Sequence, residues 1–191
     1  EHEHLLAMRT TLTLDDDILE LAARQAKLRG VSLGKAVSDI IKSVWKECGA
    51  IVFNGTGDNL CTVRDFGDFE LLVDWRITKG GDSGIYLRGS PQVQIWDRPD
   101  VGSGGLYNNK NNPSQPLLKA DNPPGQWNRF RIIMVGEKVT VYLNGILIVD
   151  EVAMENYWDP NKPIYPQEQI ELQHHGDTLW FRNIYIREIG N

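Results

Sequence analysis

Two adjacent histidines, His174 and His175, sit between the run IELQ and the pair Gly176-Asp177. Histidine changes charge closest to neutral pH, so an oriented imidazole here can act as a general base or a metal ligand. Strand alternation puts His175 on one face with Glu171 and Gln173 and turns His174 to the other. His175 is therefore the base or ligand candidate and His174 a packed or edge histidine; a purely structural role beside a turn is the competing reading for both. The same rule groups Tyr86 with Arg88, Gln92 with Gln94 and Trp96, and Tyr142 with Asn144. Asp97 follows its strand just before Arg98-Pro99, where a carboxylate can reach a metal or substrate, or cap a turn. No spacing is as specific as His-Glu-x-x-His, so a Ca²⁺ or Mn²⁺ site built across strands stays open and the metal ligands stay unknown.

Those side chains need strands to hold them, and from about Gly49 onward the apolar period is two. DFELLVDWRI (68–77) places Phe69, Leu71, Val73, Trp75 and Ile77 on one face and Glu70, Asp74 and Arg76 on the other. SGIYLRG (83–89), QVQIWD (92–97), RFRIIMV (129–135), KVTVYLNGILIVD (138–150), QIELQHH (169–175) and LWFRNIYIRE (179–188) repeat the pattern. Turn signals separate them, and Asn144-Gly145 suits a type I′ hairpin. Many antiparallel strands with few helices predict a mainly β, two-sheet sandwich or jelly roll over residues 47–191. If the polar faces converge, Arg, Gln, Tyr, Trp, Glu and His make a sugar cleft, with aromatics to stack on rings and planar groups to bond hydroxyls. The segment 101–128, rich in Gly, Asn and Pro, is a long loop whose Tyr107 and Asn108 are lid candidates, a plain surface excursion being the alternative.

Residues 8–46 follow a helical period instead. MRTTLTL (8–14) can form one strand; Asp15 to Asp17 then cap a helix that Gly30 ends, and Ser32 caps a second. A strand-helix-helix unit this small needs a partner to be stable. Residues 1–7, EHEHLLA, read as a tail, and no secretion leader or bilayer-spanning run of roughly 18 apolar residues is seen. The net charge of −6 over 191 residues argues against nucleic-acid binding by the whole chain. It is uneven: residues 8–46 carry seven Lys and Arg against five Asp and Glu, +2, which leaves −8 on the remainder. Cys48 and Cys61 match no metal or redox spacing and read as two thiols.

DFELLVDWRI, DSGIYLRGSPQVQIWD, GSGGLYNN, PPGQWNRFRIIMVGEKVTVYLNGILIVD, ENYWD and IELQHHGDTLWFRNIYIREI, in that order, resemble the 3-keto-disaccharide hydrolase family across about residues 48–189. The resemblance implies a concanavalin- or galectin-like jelly roll, a periplasmic or extracellular setting, an oligosaccharide or glycoside substrate, and cleavage of a glycosidic bond in a sugar oxidised at carbon 3. A ketone there acidifies the proton on carbon 2, so a base can drive elimination of the glycosidic oxygen; the paired carboxylates of ordinary glycosidases are not needed. On that reading His175 is the base, Arg88 holds the ketone oxygen and Asp97 assists. Tyr86, Gln92, Gln94, Trp96, Tyr107, Asn108, Tyr142, Glu171 and Gln173 contact the sugar. Two departures stand out: an expected first strand is missing before Trp45 to Gly49, and Gln92 stands where many members carry Glu. A non-catalytic carbohydrate-binding jelly roll is the alternative reading. Residues 8–46 in turn resemble ribbon-helix-helix antitoxins, which implies a homodimer, Arg9, Thr11 and Thr13 facing DNA, and a cytoplasmic setting. The weak charge makes DNA an improbable partner, and the join of the two halves reads as a fusion.

Overall fold

Alternating side chains bury one face of each run, and glycine or asparagine at positive φ reverses the chain between runs. A computed structural model describes residues 23, 24, 26, 27, 30–32, 49–89 and 92–190. These form ten strands: β1 (Ile51–Asn54), β2 (Leu60–Cys61), β3 (Phe69–Ile77), β4 (Asp82–Tyr86), β5 (Gln92–Trp96), β6 (Asn128–Val135), β7 (Lys138–Leu143), β8 (Ile146–Ala153), β9 (Glu171–Leu172) and β10 (Thr178–Glu188). A six-stranded sheet has the order β1-β10-β3-β6-β7-β8, and a four-stranded sheet the order β2-β9-β4-β5. The expected mainly β sandwich is what the structure shows.

The core lies between the sheets. Phe69, Leu71, Val73, Trp75 and Ile77 of β3 point into it, facing Ile85 of β4 and Val93 and Ile95 of β5. Each fully buried side chain of this size contributes about 1.5–3 kcal/mol. The β7–β8 hairpin turns at Asn144 (φ 54) and Gly145 (φ 84), the two left-handed residues that a type I′ turn requires.

Three elements depart from the sequence reading. β10 does not keep one phase: Leu179 and Phe181 are buried, then the register against β3 shifts between Arg182 and Tyr185. Ile184 and Ile186 take over the inward side. Asn183, at φ 51, is the bulged residue. The expected strand 169–175 shortens to Glu171–Leu172, because the Asn59 side chain takes the His174 N–H. β1 and β2, too short to carry a period, were not expected.

Of the N-terminal segment, Ala23, Arg24, Ala26 and Lys27 are helical. Gly30 is left-handed at φ 63, and Val31 N–H donates to the Ala26 carbonyl at 3.0 Å; the rest of the expected helix lies outside the described residues. The Met8–Leu14 ribbon, its pairing between two copies, the DNA-facing Arg9, Thr11 and Thr13, and Cys48 lie outside the described residues. Among the described residues no helix is long and apolar enough to cross a membrane.

Candidate active site

The outer face of the four-stranded sheet collects the polar residues. Register pairs Tyr86 with Gln92 and with Glu171, Gly84 with Gln94, and Asp82 with Trp96. Cys61 lies opposite Glu171. With Ile85, Val93, Ile95 and Leu172 turned into the core, these partners must face out. Six of the residues singled out from the sequence are thereby brought together: Tyr86, Gln92, Gln94, Trp96, Glu171 and Gln173.

Two hydrogen-bond chains order this face. Gln92 Nε2 donates to Gln94 Oε1 at 2.7 Å, and Gln94 Nε2 donates to Asp82 Oδ1 at 2.6 Å. Both glutamines are buried, and Gln92 Oε1 has no partner. Gly84 makes the room: a Cβ there would meet Gln92 Oε1 and lie 2.7 Å from its Cδ. The second chain runs from Gln173, whose Nε2 donates to the Tyr86 hydroxyl at 2.9 Å and whose Oε1 is also unpartnered. Burial, then Glu171, Tyr157 and Asp82, raise the Tyr86 pKa, so the phenol keeps its proton. Burial and Glu171 likewise push the Cys61 thiol up. Glu171 accepts from Asn59 Nδ2 at 3.0 Å.

The long loop forms a wall. Gln94 N–H donates to Gly105 O and Gly104 N–H to Gln94 O, so the chain runs beside β5. Asn108 Oδ1 accepts the Gln92 N–H at 3.3 Å. Ser103 braces Trp96, accepting its N–H and donating to its carbonyl, both at 3.1 Å. Tyr107 meets the Trp96 ring edge-on at 5.0 Å and is exposed. Further along, the Glu155 carboxylate accepts N–H groups of Lys110, Asn111 and Asn112, which pins the loop.

His175 is exposed in the turn that Gly176 (φ 85) completes. That turn abuts the start of β4, because Gln173 N–H donates to Gly84 O and Asp177 Oδ2 accepts the Asp82 N–H. His174 packs 5.9 Å from the Phe53 ring.

Three candidates lie elsewhere. Arg88 follows the end of β4 at φ 52 and turns off the face; its guanidinium donates to Gly67 O, Gly136 O and Asp68 Oδ1 and is 2% exposed. Tyr142 belongs to β7 of the other sheet, where Arg131 covers its ring at 5.2 Å. Asp97 Oδ2 accepts the Gly80 N–H, the turn-capping alternative, at the mouth of a cavity of about 280 Å³ shared with Trp96 and Asp121.

The sequence reading also missed contributors: Asp82, Asn59, Cys61 and Arg98, whose guanidinium lies 5.3 Å from the Trp96 ring. The Trp96-Asp97-Arg98 sequence was a signal for the last, since a strand's final residues share the face's rim. Among the described residues no three His, Cys, Asp or Glu side chains converge as a metal ligand set.

Comparison with known proteins bears on the family and the fold. The model of the 3-keto-alpha-glucoside-1,2-lyase-like domain matches residues 32–187. A 3-keto-disaccharide hydrolase of Bacteroides thetaiotaomicron is 24% identical, over 78% of this chain and 71% of that one. Two crystal structures from Parabacteroides distasonis, carrying a provisional glycosyl hydrolase name, superpose with TM-scores of 0.63 and 0.61 at 27% and 25% identity. Each covers 74% of this chain, and 72% and 88% of its own. None of these likenesses extends to a ribbon-helix-helix protein. With the matched region spanning both sheets and the whole polar face, the chain belongs to the 3-keto-alpha-glucoside-1,2-lyase-like domain family.

Proposed function

We propose that the outer face of the four-stranded sheet cleaves glycosides whose sugar carries a ketone at carbon 3. The observation that carries this reading is the Gln173–Tyr86 pair beside the Gln92–Gln94–Asp82 chain, a protonated phenol among ordered amides over a glycine floor. Family membership and the hydrolase name of the Bacteroides relative support the substrate class.

The keto ring lies over the Gln92 amide, whose Oε1 is without a partner, with Trp96 and Tyr107 at its rim. His175 removes the carbon 2 proton, and the charge moves to the ketone oxygen; Arg98, which must swing from its exposed pairing with Asp100, supplies the positive field there, since Arg88 is buried in the wall. The carbon 1–oxygen bond then breaks as the Tyr86 hydroxyl gives its proton to the leaving oxygen, which leaves a carbon 1–carbon 2 double bond. Water adds across it: the tyrosinate takes a proton from water as the oxygen bonds carbon 1, and the exposed imidazolium, having exchanged its proton with solvent, delivers a solvent proton to carbon 2.

The test compares a 3-keto-disaccharide with its unoxidised parent. Wild-type protein releases the second sugar from the keto form alone, and His175→Ala and Tyr86→Phe lose that release. Binding of both sugars with no release by wild-type protein contradicts the proposal and leaves a carbohydrate-binding jelly roll.

A further inference from the structure

The face has a second end that the chemistry above does not use. Beyond Tyr86 the β4 chain runs on to Gly89, whose carbonyl accepts the Trp158 Nε1–H at 2.8 Å. Tyr157 packs edge-on against Trp158 at 4.9 Å, and the two rings are 43% and 61% exposed. A tryptophan that is mostly open to water, as Trp158 is, is hard to explain by core packing. Nor is it held loosely. Asn156, buried, accepts the N–H groups of Trp158 and Asp159 on its Oδ1 and donates to Pro163 O, so this turn is built rigid. Gly89, at φ 70, leaves room for the Glu168 side chain, since a Cβ there would lie 2.7 Å from Glu168 Cγ, and this fixes the carbonyl that Trp158 bonds.

The polar face therefore lies between two aromatic pairs, Trp96–Tyr107 beside Asp82 and Tyr157–Trp158 past Tyr86. From Asp82 to Tyr86 is four strand residues, about 13 Å, which leaves room for more than one ring. We propose that Trp158, seated by Tyr157 and Gly89, is a stacking platform for the pyranose ring of the leaving sugar, a subsite separate from the one that holds the keto ring. This rests on the reading that Tyr86 protonates the leaving oxygen, because that step points the departing ring past Tyr86 toward this pair. An aromatic face meets the C–H face of a pyranose while its hydroxyls stay in water, so an exposed ring suits a leaving group that must depart.

The experiment measures kcat/KM of wild-type protein, Trp158→Ala and Trp158→Phe on two substrates, a 3-keto-disaccharide and the methyl 3-keto-glucoside. The expected result is a loss of about tenfold for Trp158→Ala on the disaccharide, less than about twofold on the methyl glycoside, and recovery of most of the loss by Trp158→Phe. Equal losses on both substrates, or no loss on either, overturn the subsite while leaving the proposed chemistry intact. If wild-type protein cleaves neither substrate, the chemistry fails; titration calorimetry with the unoxidised disaccharide then decides the platform. Weaker binding by Trp158→Ala supports it, and equal or absent binding by the wild-type and variant proteins overturns it.

Discussion

Gln173 Nε2 donates to the Tyr86 hydroxyl at 2.9 Å across the β4–β9 edge, so the phenol's oxygen is held while its own proton is left to give. Tyr86→Phe removes that proton and little else. We expect kcat on a 3-keto-disaccharide to fall at least about a hundredfold, the usual scale of a positioned acid, with KM nearly unchanged. Because the folded pKa is raised, the phenol's contribution to stability is present below its ordinary value of about 10 and is lost as pH rises through the higher folded value. The alkaline fall of kcat should lie above that ordinary value and vanish in the variant; a fall at lower pH contradicts the role.

Gly84 is the floor under both glutamines. Gly84→Ala should cost more than about tenfold in kcat/KM, because the new Cβ pushes the Gln92 amide off Gln94. The double variant Gly84→Ala/Gln92→Ala should regain much of the lost thermal stability without regaining activity, a coupling that a double-mutant cycle measures directly. Additive changes in Tm would mean that the two positions do not clash.

Gln92→Glu puts a carboxyl at a buried position of the polar face. Burial will raise this carboxyl's pKa, and its proton is needed to reach Gln94 Oε1. The variant's stability is then full below the ordinary glutamate value and lost as pH rises through the folded one. A Tm that drops relative to wild-type between about pH 5 and 8 is expected. Parallel curves would show that the side chain reaches solvent.

Asp74 anchors the opposite sheet. Its carboxylate accepts from Arg129 Nε at 2.6 Å and Asn183 Nδ2 at 2.8 Å, and Arg182 stands 3.4 Å away. Burial alone would raise its pKa, but these partners outweigh it and hold the group below its ordinary range. Its contribution is present above about pH 4 and lost as pH falls through the depressed value. Asp74→Asn should cost about 2 kcal/mol at neutral pH in urea unfolding and flatten the acid side of the stability profile, with no change in activity.

What the sequence disclosed and concealed follows from the reach of its signals. Alternation is a rule within one strand, so it correctly grouped Gln92 with Gln94 and Trp96, and Glu171 with Gln173. It says nothing about which sheet a strand joins, and so Tyr142 was grouped with residues that lie on the far sheet. It also assumes that every residue stays extended. Arg88 at φ 52 and Asn183 at φ 51 break that assumption, one sending a cation into the wall, the other reversing the inward side of β10. Asn144-Gly145 was legible because its turn chemistry is local. Tyr157 and Trp158 were not, since a loop has no period and only the Gly89 carbonyl reveals where they stand.

The central claim is proton abstraction from carbon 2 of a keto sugar, and deuterium tests it most directly. When wild-type protein cleaves a 3-keto-disaccharide in D₂O and products are read by NMR at early times, the released keto sugar should carry deuterium at carbon 2 while unreacted substrate does not. Cleavage that leaves protium at carbon 2 of the product contradicts the account.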